Sequence, residues 1–288
     1  MKILLINGEL HHKNKDAIIM YKNIEFVIIH SIHDINHIDL TQYDAVYSPS
    51  EPIPISNFPK TKFLFGPHFS ILPDNKLIQI KGNNAAYTLL SDWVIKLWNN
   101  WDICKNVNLV SLPFGVNTTK FCPTQKENRN EVFIYFKNRN PELLKIVEQI
   151  LSKYTNYVIF NYSTKYNESD YLNYLSKSKY GIWIGRHESQ GFALEECLSM
   201  DVPLLVWDVK SMNEEYGWHY ENYAATAIPY WDDRCGEVFY QGQRSFEETL
   251  KLFLSKLDNY KPREYILENL SIDVCEQKMI DTINNIKI

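Results

Sequence analysis

Glycine is scarce, with ten in 288 residues. None lies in a G-x-G-x-x-G run, and none precedes a Lys-Ser or Lys-Thr pair at P-loop spacing. The dinucleotide-binding and P-loop NTPase readings therefore lose their main support. There is no H-E-x-x-H. There is also no Asp-x-Asp, the short acidic pair that often holds a diphosphate through a divalent cation. Any diphosphate bound here must be neutralised by Lys, Arg and helix N-termini. The five cysteines (104, 122, 197, 235 and 275) are odd in number and widely spaced, with no C-x-x-C. That argues against a disulfide or zinc framework and points to a reducing cytoplasm. Thirty Lys and Arg stand against 35 Asp and Glu, a formal charge of −5, so no basic footprint for nucleic acid is present. No apolar run approaches the roughly 20 residues of a transmembrane helix. The opening Met1–Glu9 has too short an apolar core for a signal peptide and reads as a buried strand ending in a turn at Asn7-Gly8. Asn-x-Ser/Thr triplets such as 117–119 and 161–163 read as chance matches in an Asn-rich chain.

With 45% apolar and 23% charged residues, the composition is that of a globular protein, and the length suggests about two domains. Short apolar runs at 2–6, 24–29, 44–47, 61–65 and 78–80 predict strands. An amphipathic helix follows at 91–98 and a further strand at 108–112. The polar stretch 124–130 predicts a boundary, giving domains 1–123 and 124–288. Beyond it, strands at 131–136, 157–160, 180–184 and 204–207 alternate with helices from 141, 169 and 191. Later helices are expected at 246–257, 263–270 and 274–286, the last packing back on the first domain. This alternation predicts an α/β architecture with parallel sheets.

The chemistry concentrates in His187-Glu188-Ser189-Gln190-Gly191-Phe192 and the helix after it, followed by Asp201-Val202-Pro203 and a strand. Ligands of open α/β sheets sit beyond the carboxyl ends of the strands. Gly191 lets a ligand approach the backbone, and a helix starting there suits a phosphate. Glu188 lies at the mouth and Glu196 one to two turns inside. Taken singly, each has an ordinary explanation, a helix-start acid or a solvated face.

Taken together, this stretch resembles the E-x7-E signature of retaining GT-B glycosyltransferases of the glycogen-synthase-like, family 4 type. Glu188, Ser189, Gly191, Glu196, Pro203 and Leu204-Leu205 fall in register. Leu112–Pro123, containing Pro113-Phe114-Gly115-Val116-Asn117, resembles the same family's connection into its donor domain. Ser91-Asp92-Trp93-Val94 is a weaker third match. Three departures stand out. Asp201 replaces a usual Gly, Phe114 a usual Asn, and Phe136-Lys137-Asn138-Arg139 keeps two cations of a phosphate loop but loses its glycine.

The resemblance implies two Rossmann-like domains facing a central cleft, the first one shortened. It implies that Glu188 binds donor-sugar hydroxyls, Glu196 binds the ribose, and Lys137 and Arg139 neutralise the leaving diphosphate. His68, in Gly66-Pro67-His68 at a predicted strand end, would stand near the reacting sugar. Ser189, Gln190, Gly191, Phe192, Arg186, His187 and Gly115 would line the donor pocket, and Tyr162 or Tyr166 would stack on a ring. His33 and His37 share an i, i+4 spacing but read as surface residues, and Asp232–Glu237 as a solvated acidic loop. The expected reaction is retaining sugar transfer from a nucleotide-diphosphate sugar, a UDP-sugar, to a glycan or small-molecule hydroxyl. No metal or cofactor is expected. The rivals are an epimerase or hydrolase on the same fold, and a nucleotide-sugar-binding module without catalysis.

Overall fold

The structure, a computed structural model, describes every residue except 7–9, 126–127, 165–166 and 243. Gly8, part of the 124–130 stretch and Tyr166 therefore lie outside the described residues. The chain forms two compact units. Unit 1 comprises Met1–Gly115 with Ile272–Ile288, and unit 2 comprises Val116–Ser271.

In unit 1, β1 (Lys2–Ile6), β2 (Glu25–Ile29), β3 (Ala45–Ser48), β4 (Phe63–Phe65), β5 (Ala85–Leu89) and β6 (Leu109–Ser111) form one sheet. Its order is β2-β1-β3-β4-β5-β6, and every pairing is parallel. Residues of β3, β4 and β5 are buried throughout, as expected of strands covered on both faces. Helices α1 (His12–Ile19) and α2 (Asp92–Trp98) connect strands. Ile78–Ile80 is not a strand. It closes a 3-10 turn, Asn75–Ile80, in which the Asp74 carboxylate caps Lys76 N–H. The fifth strand lies later, at Ala85. His33 and His37 also lie in a 3-10 turn, where a spacing of four does not share a face.

In unit 2, the sheet contains β7 (Glu131–Phe136), β8 (Val158–Asn161), β9 (Ser178–Ile184), β10 (Leu204–Trp207) and β11 (Gly236–Phe239). It is again parallel, in the order β11-β10-β9-β7-β8. Strand β11 takes up part of the expected acidic loop. Helices α3 (Pro141–Leu151), α4 (Glu168–Leu175), α5 (Phe192–Ser199), α6 (Phe246–Ser255) and α7 (Pro262–Asn269) complete the unit. Asn140 caps α3 ahead of Pro141. Ser245 and Glu248 form a reciprocal capping box on α6, which satisfies two amide donors at once. Ile134, Ile182, Leu205, Leu250 and Phe253, all fully buried, centre the core. From β7 the chain moves outward to β8, then crosses back to β9 on the other side. The sheet's topological switch point thus lies between β7 and β9.

The units part at Gly115/Val116, eight residues ahead of the expected boundary. Residues 116–123 belong to unit 2 because Arg263 holds them there. Its guanidinium donates to Phe121 O (2.9 Å) and Thr118 O (3.1 Å), and Ser199 Oγ donates to Phe121 O at 2.7 Å. The final helix α8 (Ile272–Asn285) returns to unit 1. There Asn23 donates through its backbone and side-chain nitrogens to Glu276, and Lys62 Nζ donates to Ile283 O at 3.0 Å.

Candidate functional site

The segments after β7 and β9 flank the switch point of unit 2, where ligands of open α/β sheets bind. From the first comes Lys137 and from the second Glu188. Lys137 Nζ meets Glu188 Oε1 at 2.6 Å, with side-chain exposures of 11% and 13%. Lys137 also lies 4.4 Å from the ring centroid of Tyr162, within cation–π range. The structure thus gathers Lys137, Glu188 and Tyr162 from three separate connections.

Gly191 precedes α5 at φ +97°, a backbone state that costs glycine little and other residues much. Its carbonyl accepts from Leu194 N–H at 2.9 Å and Glu195 N–H at 3.1 Å. Phe192 opens the helix, half-buried, and Ser189 is exposed in the preceding loop. Glu196 is buried in α5. Gln190 is buried as well and donates through Nε2 to Glu195 Oε2 at 3.0 Å, so its amide braces the loop against the helix.

Two departures from the resembled motifs have a backbone reason. Asp201, after α5, has φ +59°, and Asn138 has φ +45°. Both positions need the left-handed conformation that glycine supplies, and Asp and Asn are the side chains that tolerate it best.

Other expected site residues are held by partners that the sequence did not reveal. Arg139 is 2% exposed. Its Nη1 donates to Gly185 O (2.9 Å) and Trp207 O (3.1 Å), and its Nη2 to Glu214 Oε2 (3.1 Å). Burial lowers its pKa, opposed by Glu214 and Asp208. The guanidinium therefore ties the ends of β9 and β10 together. Glu215, itself buried, accepts from Asn138 Nδ2 at 3.1 Å and lies 3.5 Å from Arg186 Nε and from His187 Nδ1. Burial, with the Arg186 and Lys137 charges, pushes the His187 pKa down to about 3. Its contact with Glu215 at neutral pH is thus that of an uncharged ring, and Tyr220 packs edge-on against it at 5.4 Å. Gly115 is constrained by packing. It ends unit 1, and a Cβ there would stand 2.6 Å from Ile272 Cα. Its role is the close approach of the chain to the start of α8.

Asp208, after β10, is a further residue that sequence reasoning missed. Its carboxylate accepts from Val209 N–H (2.8 Å), Ala227 N–H (2.6 Å), Thr226 Oγ1 (2.8 Å) and Tyr240 OH (2.8 Å). Burial raises its pKa against the pull of those donors. Thr226 O in turn accepts from Glu188 N–H at 3.0 Å. The Glu188 backbone is thus fixed through Asp208, while its side chain is fixed by Lys137.

In unit 1, His68 follows β4 and lies 3.0 Å through Nε2 from Nδ2 of Asn14, a buried residue of α1. With Asn14 donating, the neutral ring carries its proton on Nδ1. Burial, with nearby His11, lowers the His68 pKa to about 4. We expect Asn14→Asp, which places a carboxylate beside Nε2, to raise the His68 titration midpoint by about 1–3 pH units. Following the His68 ring protons by NMR across pH 3–8 checks this. An unmoved midpoint would show that Asn14 does not set the ring's protonation.

Among the described residues, no group of three or more His, Cys, Asp or Glu side chains is placed to hold a metal ion, and no helix is long and apolar enough to cross a membrane.

No family model and no curated protein matches the sequence. Solved structures do resemble the chain. It is similar to S. aureus TarM, solved as a point mutant in complex with fondaparinux, alpha-GlcNAc-glycerol and UDP. That likeness is 14% identical with a TM-score of 0.52, over 79% of this chain and 52% of that one. It is similar to sucrose-phosphate synthase from Thermosynechococcus elongatus (9% identity, TM-score 0.55, 99% of this chain and 98% of that one). It is also similar to the lipopolysaccharide outer core galactosyltransferase WaaB in its apo form (12% identity, TM-score 0.53, 99% of each chain). The chain spans about half the length of TarM and nearly all of the other two. At these identities the likeness is one of fold, and the fold is GT-B, with two parallel-sheet α/β units.

Proposed function

We propose that the chain is a retaining glycosyltransferase moving a sugar from a UDP-sugar to an acceptor hydroxyl without a metal. The observation that carries this reading is the meeting of Lys137 and Glu188 at the switch point of unit 2, beside a glycine-capped helix that holds Glu196. Glu188 accepts hydrogen bonds from donor-sugar hydroxyls, and Glu196 from the ribose. A carboxylate takes two such donors at once. The diphosphate lies toward the start of α5, where the helix dipole favours negative charge. Lys137 exchanges the Glu188 carboxylate for the phosphates as the donor enters.

Bond cleavage at the anomeric carbon builds charge on the leaving diphosphate, and a cation already fixed there stabilises the transition state. The absence of Asp-x-Asp from the sequence supports the metal-free form of the reaction. The departing phosphate, on the same face as the attacking hydroxyl, takes the acceptor proton, which gives retention. Acceptor recognition is assigned to unit 1, where the His68 ring offers its Nδ1–H as a hydrogen-bond donor. Five thiols with no pair in the sequence support a cytoplasmic setting.

Thermal unfolding with a panel of nucleotides tests the reading. UDP at 100 times its dissociation constant should add about 2.7 kcal/mol of stability. Glu196→Ala should abolish most of that gain. Glu188→Ala should preserve UDP binding, because it frees Lys137, yet lose turnover of the UDP-sugar. Equal UDP binding and equal turnover in both variants would remove the site from consideration. Consumption of UDP-sugar at full rate without any acceptor would favour a hydrolase.

A further inference from the structure

The described residues of unit 1 leave part of its sheet exposed. Helix α1 has eight residues, a length of about 12 Å at 1.5 Å per residue. The neighbouring edge strand β2 has five residues, about 16 Å of extended chain. Parallel sheets are normally covered on both faces, yet here Ile28 of β2 is 48% exposed and Ile19 of α1 is 69% exposed. Between them opens a pocket of about 260 Å³, walled by Leu5, Ile18, Tyr21, Ile24 and Phe26. An apolar cavity of about 150 Å³ already admits benzene, so this one has room for a chain of several methylenes. Lys15 is the only charged side chain among the described residues that line it. A ligand matching this wall is aliphatic over most of its length and anionic at one point.

The pocket adjoins the His68 corner. Helix α1 brings both Lys15 and Asn14, and Pro49, which lines the pocket, accepts from His68 N–H through its carbonyl at 3.0 Å. We propose that unit 1 binds the aliphatic chain of an anionic amphiphile in this pocket, with the anionic group against Lys15, and that this amphiphile carries the acceptor. Calling it the acceptor rests on the sugar-transfer reading, whereas the pocket and its ligand class do not. A bilayer surface fits less well. Helix α1 carries Lys13 and Lys15 with Asp16, short of the cluster of about four to eight cations that anionic membranes recruit.

Calorimetric titration of the full chain with monomeric hexyl, octyl and decyl phosphate tests this. Affinity should rise about fourfold for each added methylene, the equivalent of about 0.8 kcal/mol, until the pocket is filled. Lys15→Glu should weaken octyl phosphate at least tenfold. Ile28→Asp, at a half-exposed rim position, should lower affinity for every chain length. The circular dichroism spectrum and unfolding midpoint of both variants should match those of the parent, showing that they fold. Affinity independent of chain length, or unchanged in Ile28→Asp, would overturn the proposal. So would binding to anionic phosphatidylglycerol vesicles with none to the monomeric alkyl phosphates. Loss of UDP binding with alkyl phosphate binding intact would instead strike the donor-site reading alone.

Discussion

Lys137→Ala should lower kcat for sugar transfer by about 10²- to 10³-fold, the loss seen when one fixed donor to a developing anion is removed. The ammonium lies within a nearly closed site, 2.6 Å from Glu188 and over the Tyr162 ring. It turns from Glu188 to the phosphates as the donor enters, so no further reorganisation is needed as charge builds on the leaving group. Affinity for the intact UDP-sugar should fall by a smaller factor, because its ground-state diphosphate carries less charge at the breaking bond than the transition state does. The variant also leaves the Glu188 carboxylate without this partner, so part of its loss could come from a misplaced Glu188. Lys137→Ala/Glu188→Ala separates the two effects. If both residues act on the same transition state, the double variant should be little worse than the poorer single one. Steady-state rates at saturating UDP-sugar measure this. A single variant that changes only KM would make Lys137 a ground-state contact.

The placement of Glu188, Gly191 and Lys137 at strand ends and a helix start was legible in the sequence because each is tied to a local signal. A glycine at a helix start and polar residues just after apolar strands mark the carboxyl end of a parallel sheet. Strands Glu131–Phe136 and Leu204–Trp207 have the bounds that their apolar runs predicted, since both are central strands with polar or proline flanks. Elements whose identity is decided elsewhere in the fold were harder to read. Strand β5, Ala-Ala-Tyr-Thr-Leu, has small residues and no period of its own. Helix α1 begins His-Lys-Asn-Lys-Asp and has no side-chain cap. Strand β11 carries Glu237, which accepts from Lys256 Nζ (2.6 Å) and Tyr260 OH (3.0 Å), so an acid that looks solvated belongs to a sheet edge.

The same limit explains the unread part of the site. Asp208, Glu214 and Glu215 act on loops far from them in the sequence, and no spacing rule connects residue 208 with 226 or 215 with 138. Asp208 nevertheless governs where Glu188 stands, through Thr226. A site of this kind has a readable inner layer, set by local turns and helix starts. Its supporting layer is visible only once the loops are placed.

Arg139, two residues beyond Lys137, is buried against the ends of two strands, and it makes the largest stability prediction. Arg139→Met should destabilise the protein by about 3–5 kcal/mol, the range for breaking a buried charged contact. Two losses set this size. The carbonyls of Gly185 and Trp207 lose their shared donor, at about 1–3 kcal/mol for each buried group left unsatisfied. Glu214 also loses this partner, but it keeps the Lys210 N–H, is 37% exposed and regains water. Glu214→Gln should therefore cost under about 1 kcal/mol, as exposed ion pairs do. Arg139→Lys should recover only part of the loss, because an ammonium lacks the planar fork that reaches the two carbonyls from Nη1 and Glu214 from Nη2. Denaturant unfolding of the three variants, with UDP binding measured well below their midpoints, decides the role. Stability ordered as Glu214→Gln above Arg139→Lys above Arg139→Met, with UDP affinity retained, would make Arg139 the tie between β9 and β10. A stable Arg139→Met that had lost UDP would return it to the diphosphate and leave the two strand ends held by some other contact.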